Sequence, residues 1–212
     1  MSDWFRKETW TKDDEEDFFL HLARSKTDFH KAQYLKIQAF TFYDTHNKKN
    51  FNVILTLLDK YFNDFPDEEF FRATSLHLYG RVFYDRKKYD KAFEYYQKAA
   101  YQEVKYPNVI SGAWLDYAKI IIRLKYKNMY DEAEEFIQRH YASLIFPIAI
   151  YESNAVLAVI YNARGDKEKA CHYKRIANEA TLINEPILSN LGSIGLVLNK
   201  ISFLEKAMKK IK

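Results

Sequence analysis

The chain has 212 residues, and 48% of them are hydrophobic, so it can fill a core and is not expected to be disordered. Its 33 basic and 29 acidic side chains nearly balance at a net charge of +4, which argues against a nucleic-acid-binding protein. Five glycines and four prolines provide too few turns for a many-stranded sheet and favour an all-helical fold.

Apolar residues recur at helical spacing from the first segment onward. Thr11 and Asp14 form a capping pattern, which predicts an N-terminal capping helix within residues 1–30. A second helix is predicted from about Lys31. A third is predicted from Phe51, after a polar break. The N-terminal part of the chain is therefore expected to be helical throughout.

The same pattern continues to the C-terminus. Asp67 is predicted to be the N-cap of the next helix, and Gly165 with Asp166 predicts a tight turn, because glycine suits a left-handed residue and aspartate suits an N-cap. A last helix is predicted from Ile187 to about Ile211. The sequence therefore predicts helices joined by short turns.

Bulky and small residues follow one another in the same order three times along the chain. The three stretches are Leu76–Tyr79–Gly80–Phe83–Ala92–Tyr96–Ala99, Trp114–Tyr117–Ala118–Ile121–Ala133–Ile137 and Leu157–Ala158–Tyr161–Ala170–Ala177. The four prolines, which are predicted to close four hairpins, stand 41, 40 and 39 residues apart. A period of this size predicts stacked helical hairpins, with small residues where helices cross and rings between the layers.

These residues resemble the tetratricopeptide repeat. Residues 73–107 match best, with Tyr79, Gly80, Ala92 and Tyr96 in step with the repeat pattern. The resemblance covers roughly residues 32–186 and specifies fold far more than function. The opening segment is also similar to that of bacterial tetratricopeptide proteins.

The resemblance implies an all-α fold, a right-handed α-solenoid of antiparallel helix hairpins with about ten helices. The expected order is an N-terminal capping helix, four hairpins at about 31–66, 67–107, 108–147 and 148–186, and a C-terminal capping helix at 187–212. Repeat proteins of this kind use an extended concave surface to bind other molecules.

The resemblance also implies which residues line the groove. Carried over position by position, the candidate ligand-binding residues are Lys36, Tyr43, His77, Arg81, Tyr84, Lys119 and Arg123. A basic and aromatic lining would suit an acidic protein or peptide segment, because arginine binds carboxylates through two parallel hydrogen bonds. The other interpretation is a solvated helix face of mixed charge.

The function favoured by this pattern is a non-catalytic protein–protein interaction module. One alternative is an effector-neutralising, immunity-like or regulatory protein that uses its outer surface, and a more distant one is an enzyme. A homodimer formed by stacking of imperfectly capped ends is a further expectation.

The stretch 144–160 is interrupted by Pro147, Glu152 and Asn154 and is not expected to span a membrane. We therefore expect the protein to be cytoplasmic, and we expect it to bind no cofactor.

Few residues suggest chemistry. Asp17 and His21 are spaced to share a helix face, but a surface ion pair is favoured over a metal site because no third ligand is evident. Cys171, the single cysteine, excludes an intrachain disulfide and is predicted to be a packing residue. Gly192 and Gly195, predicted to lie inside the last helix, lack the lysine and hydroxyl residue that follow in a phosphate-binding loop.

Overall fold

The computed structural model describes residues 3–187 and 192–212, and within these ranges it contains ten α-helices and no strand. The helices are α1 (Lys12–Ala23), α2 (Asp28–Asp44), α3 (Phe51–Asp64), α4 (Arg72–Asp85), α5 (Tyr89–Lys105), α6 (Ala113–Leu124), α7 (Tyr130–Tyr141), α8 (Pro147–Ala163), α9 (Lys167–Ala180) and α10 (Ser202–Met208). Short 3-10 helices precede α3 and α7. The all-α fold class is confirmed, and none of the described helices is long and apolar enough to cross a membrane.

Two helix starts lie where the sequence predicts them. At the start of α1, Thr11 Oγ1 accepts a hydrogen bond from the Asp14 amide at 3.2 Å, while the Asp14 carboxylate accepts one from the Thr11 amide at 2.9 Å. The Thr11 amide is the main reason why the pKa of Asp14 falls to about 2. At the start of α9, the Asp166 carboxylate accepts a hydrogen bond from the Lys169 amide at 3.0 Å.

A left-handed residue follows the first helix of every hairpin. These residues are His46, Lys87, Lys125 and Gly165, with φ of 54°, 60°, 60° and 82°, and they stand 41, 38 and 40 residues apart. In the last three turns the next amide donates to a carbonyl five residues earlier, at 2.9, 3.1 and 3.0 Å, as in the Schellman motif. Only Gly165 was predictable, because the other three positions are not occupied by glycine.

The chain divides into two compact units, one ending at Ala113 and the other beginning at Trp114. Unit 1 contains the hairpins α2–α3 and α4–α5, with α1 packed on α2. Gly80 of α4 lies against the Tyr96 ring of α5, which a Cβ at position 80 would overlap. The predicted role of Gly80 in a close helix crossing is therefore confirmed.

Unit 2 contains the hairpins α6–α7 and α8–α9, with α10 packed on α8. Tyr117 of α6 donates to Glu132 at 2.9 Å and meets the Phe136 ring at 5.5 Å, which joins α6 to α7. The Tyr151 hydroxyl donates to Glu205 at 2.9 Å and accepts from the Ile201 amide at 3.1 Å. These two bonds fix α10 to α8.

The last helix is much shorter than predicted. Ile187 lies in a bend, residues 192–201 lie outside any α-helix, and only Ser202–Met208 is helical; residues 188–191 are outside the described ranges. Gly192 and Gly195 have φ of 59° and 86°, which the right-handed helix does not allow. A Cβ at Gly195 would also overlap the Phe146 ring. The prediction of one continuous helix was therefore wrong.

Three smaller predictions were also wrong. Asp67 does not cap α4, because a turn intervenes and the N-cap position is Phe71. Pro147 opens α8 instead of closing the preceding hairpin, since its fixed φ suits the first helical position. Cys171 is exposed rather than packed in the core.

Candidate binding surfaces

Five of the seven predicted groove residues lie in unit 1, on two neighbouring helices. Lys36 and Tyr43 belong to α2, and His77, Arg81 and Tyr84 belong to α4, which packs beside α2. Residues three, four and seven positions apart share one side of a helix. We call the surface formed by Lys36, Tyr43 and Arg81 the α2–α4 surface.

Arg81 and Tyr43 form the centre of the α2–α4 surface. The Arg81 guanidinium lies 4.3 Å from the centre of the Tyr43 ring, and the Tyr43 hydroxyl donates to Asp85 at 2.8 Å. Burial raises the pKa of Tyr43 to about 12, with Asp85 acting in the same direction and Arg81 opposing it. No carboxylate among the described residues forms an ion pair with Arg81.

Lys36 lies at the other end of this surface. Its side chain is half-buried, its ammonium group lies 4.6 Å from the centre of the Phe71 ring, and burial lowers its pKa. Lys36 forms no ion pair within the described ranges. It lines a depression of about 510 Å³ that also includes Phe40 and Thr74, with Asp44 among the lining residues.

His77 and Tyr84 contribute less free surface than the sequence suggests. His77 is only 9% exposed, and its ring meets Tyr96 of α5 at 5.5 Å. The Tyr84 ring lies 6.5 Å from Tyr96 and 5.3 Å from Tyr89. Both side chains therefore help to pack α4 against α5.

Lys119 in unit 2 is held between two carboxylates. Its ammonium nitrogen lies 2.7 Å from Asp116 Oδ1 and 2.6 Å from Glu152 Oε2. Burial alone would lower the pKa of Lys119, but the two carboxylates outweigh burial and raise it. Burial also raises the pKa of Glu152, against the attraction of Lys119. The charge of Lys119 is therefore already compensated within the unit.

Arg123, the second predicted residue in unit 2, lies in a different environment. Its guanidinium is 5.1 Å from the centre of the Phe203 ring of α10. Both residues line a cavity of about 510 Å³ between α6, α8 and α10, which we call the α10 pocket. The sequence did not predict this pocket, because its lining residues come together only when α10 packs on α8.

The possible metal pair of α1 is an ion-pair cluster. His21 Nδ1 lies 3.2 Å from Asp17 Oδ1, and the Lys7 ammonium lies 2.7 Å from Asp17 Oδ2. Within residues 3–187 and 192–212, no group of three or more His, Cys, Asp or Glu side chains is arranged to hold a metal ion. The favoured interpretation of Asp17 and His21 agrees with this geometry.

Comparison with known proteins gives no significant match to a family model, to a curated protein or to a solved structure. The contacts and charges of the α2–α4 surface and the α10 pocket are therefore the basis for assigning a function.

Proposed function

We propose that this chain is a non-catalytic protein-interaction module of tetratricopeptide type, a right-handed solenoid that binds an acidic protein or peptide segment on the α2–α4 surface. One observation carries the proposal. Lys36 and Arg81 lie on neighbouring helices, each against an aromatic ring, and neither is paired with a carboxylate of the described residues.

Lys36 has lost part of its water shell, which is why its pKa is lowered, and no carboxylate of the described chain replaces that water. A carboxylate from a partner would do so. On the neighbouring helix α4, Arg81 presents a planar fork that suits a second carboxylate. The surface therefore favours an anionic occupant over a neutral or cationic one.

The flat aromatic neighbours add a second contribution. Tyr43 stays neutral at physiological pH because its pKa is about 12, and its bond to Asp85 fixes the ring under Arg81. A side chain held in one position loses less conformational freedom when it binds. Arg81 is thus preorganised for a partner on the exposed side of its guanidinium.

The repeating turn supports the tetratricopeptide part of the proposal. Each hairpin reverses through one left-handed residue at intervals close to 40 residues. Gly80 against Tyr96 supplies the close crossing that the repeat pattern implies. Such arrays bind ligands along an extended surface, in agreement with a binding role.

The experiment compares two double variants by fluorescence anisotropy with a short labelled peptide rich in Glu and Leu. Lys36→Met with Arg81→Leu removes both cations of the surface. Lys98→Met with Arg86→Leu is the matched control, because these cations lie 5.2 Å and 5.5 Å from the centres of the Tyr95 and Phe51 rings. We expect the first variant to bind the peptide about tenfold more weakly or worse, and the control to bind like the wild type.

Two results would overturn the proposal. One is equal affinity of the Lys36/Arg81 variant and the wild type for the acidic peptide. The other is equal affinity of the wild type for a peptide in which every Glu is replaced by Lys. Loss of binding in the control variant alone would also contradict it, because the peptide would then depend on Lys98 or Arg86 and not on the α2–α4 surface.

A further inference from the structure

The α10 pocket combines an apolar interior with a small volume. Ile122 of α6, Val159 of α8 and Phe203 and Ala207 of α10 contribute apolar surface to its lining. Its volume of about 510 Å³ falls in the range of pockets that hold small organic molecules, roughly 300–1,000 Å³. The cavity is therefore the size of a small ligand.

The charged residues of the α10 pocket are all cations. Arg123, Lys125, Lys127, Lys206 and Lys210 line it, and its lining includes no aspartate or glutamate. The four lysines form no ion pair with any residue in the described ranges. This contrasts with Lys119, which lies between two carboxylates in the same unit.

We propose that the α10 pocket binds a small amphiphilic phosphate, a molecule with one apolar chain or ring and a phosphate head. The apolar body would lie against Phe203 and Val159, where its burial is favourable. The phosphate head would lie among the lysines, which bind phosphate as mobile point charges. This site lies in unit 2 and does not depend on the function proposed for the α2–α4 surface.

The number of cations favours a phosphate over a carboxylate. A phosphate monoester carries between one and a half and two negative charges at neutral pH, by analogy with phosphorylated side chains. It can therefore accept hydrogen bonds from several lysines at once. A nucleic acid is disfavoured, because it needs a track of cations along its backbone and the chain as a whole has a net charge of only +4.

Binding would also connect α10 to the turn that ends α6. Lys125 and Lys127 lie between α6 and α7, whereas Lys206 belongs to α10 and Lys210 follows that helix by two residues. A ligand held by both sets is expected to raise the melting temperature, since it binds the folded state only.

The first test is calorimetric titration of the full chain with decyl phosphate below its micelle concentration. Inorganic phosphate and decyl maltoside serve as the head alone and as an uncharged amphiphile with the same chain. We expect decyl phosphate to bind at one site, at least tenfold more tightly than either control. No binding of decyl phosphate, or equal binding of either control, would overturn the proposal.

The second test uses two matched turns. Lys125 and Lys87 both have φ of 60° at equivalent positions, but only Lys125 lines the pocket. Replacement of either lysine by glycine removes the strain of the same left-handed backbone conformation, so both variants should fold. We expect Lys125→Gly to weaken decyl phosphate binding about threefold to tenfold, and Lys87→Gly to leave it unchanged.

A third variant, Lys206→Met with Lys210→Met, removes the two exposed cations that α10 and the residues after it contribute to the pocket, and should weaken binding further. Thermal melts of all variants verify that they are folded. Equal affinity of the wild type, Lys125→Gly and the α10 double variant would show that the cations are not part of a site and would contradict the proposal.

Discussion

Lys36 of unit 1 and Lys119 of unit 2 show how differently two lysines from one predicted groove are used. Lys36 lies against the Phe71 ring without a carboxylate partner in the described chain, and its pKa is lowered. Lys119 lies between Asp116 and Glu152, and its pKa is raised. The neighbours of a lysine therefore decide whether its charge supports the fold or is available to a partner.

Replacing Lys119 or Lys36 by methionine should give the largest difference in the free energy of unfolding. Lys119→Met leaves two carboxylates close together without their cation, and we expect a loss of about 3 kcal/mol in the free energy of unfolding. Lys36→Met removes a partly desolvated charge and should leave the free energy of unfolding unchanged or slightly higher. Urea unfolding of both variants measures these values. Equal losses in the two variants would contradict the comparison.

The same contrast predicts opposite responses to alkaline pH. The pKa of Lys119 is raised above its ordinary 10.5. Its ionised form therefore adds to the free energy of unfolding fully below pH 10.5, and this stabilisation is lost as the pH rises towards the folded-state pKa. The pKa of Lys36 is lowered. Its charged form therefore reduces the free energy of unfolding at neutral pH, and this destabilisation is relieved as the pH rises towards 10.5.

Unfolding free energies measured from neutral pH to above pH 10.5 test these signs. The difference between the wild type and Lys119→Met should shrink only above pH 10.5. Any difference between the wild type and Lys36→Met should shrink below that pH. A gap for Lys119 that already closes below pH 10 would disagree with a raised pKa.

The hairpin turns should respond alike in the two units, although their cations do not. Lys87→Gly and Lys125→Gly should each raise the free energy of unfolding by roughly 0.5–1 kcal/mol, because glycine adopts positive φ without strain. Lys88→Gly is the control, since Lys88 has φ of −91° and gains nothing from glycine. A loss of stability in both turn variants would contradict the left-handed turns.

Local patterns were sufficient to predict much of the fold. The Thr11–Asp14 cap, the Gly165–Asp166 turn and the approach of Gly80 to the α5 helix all follow from residues close together in sequence or from one repeated spacing. The left-handed lysines could not be predicted, because lysine has no preference for positive φ. The break at Gly192 and Gly195 was missed because apolar spacing around them still resembles a helix.

The sites were less predictable than the fold. Asp116 lies three residues before Lys119, so that pairing was readable from the sequence, but Glu152 belongs to another hairpin and approaches only after packing. In the same way Lys206 and Lys210 line one pocket with Arg123 only because α10 packs on α8. Contacts between distant segments decide which charges remain available, and no local pattern records them.

The most direct test of the α2–α4 surface is the pKa of Lys36 itself, measured by NMR titration of its side chain with and without the acidic peptide. We expect a pKa below 10.5 in the free protein, because the ammonium group is partly desolvated, and a rise when the peptide carboxylates bind. A pKa of 10.5 or above in the free protein, or no change on saturation with the peptide, would contradict the account.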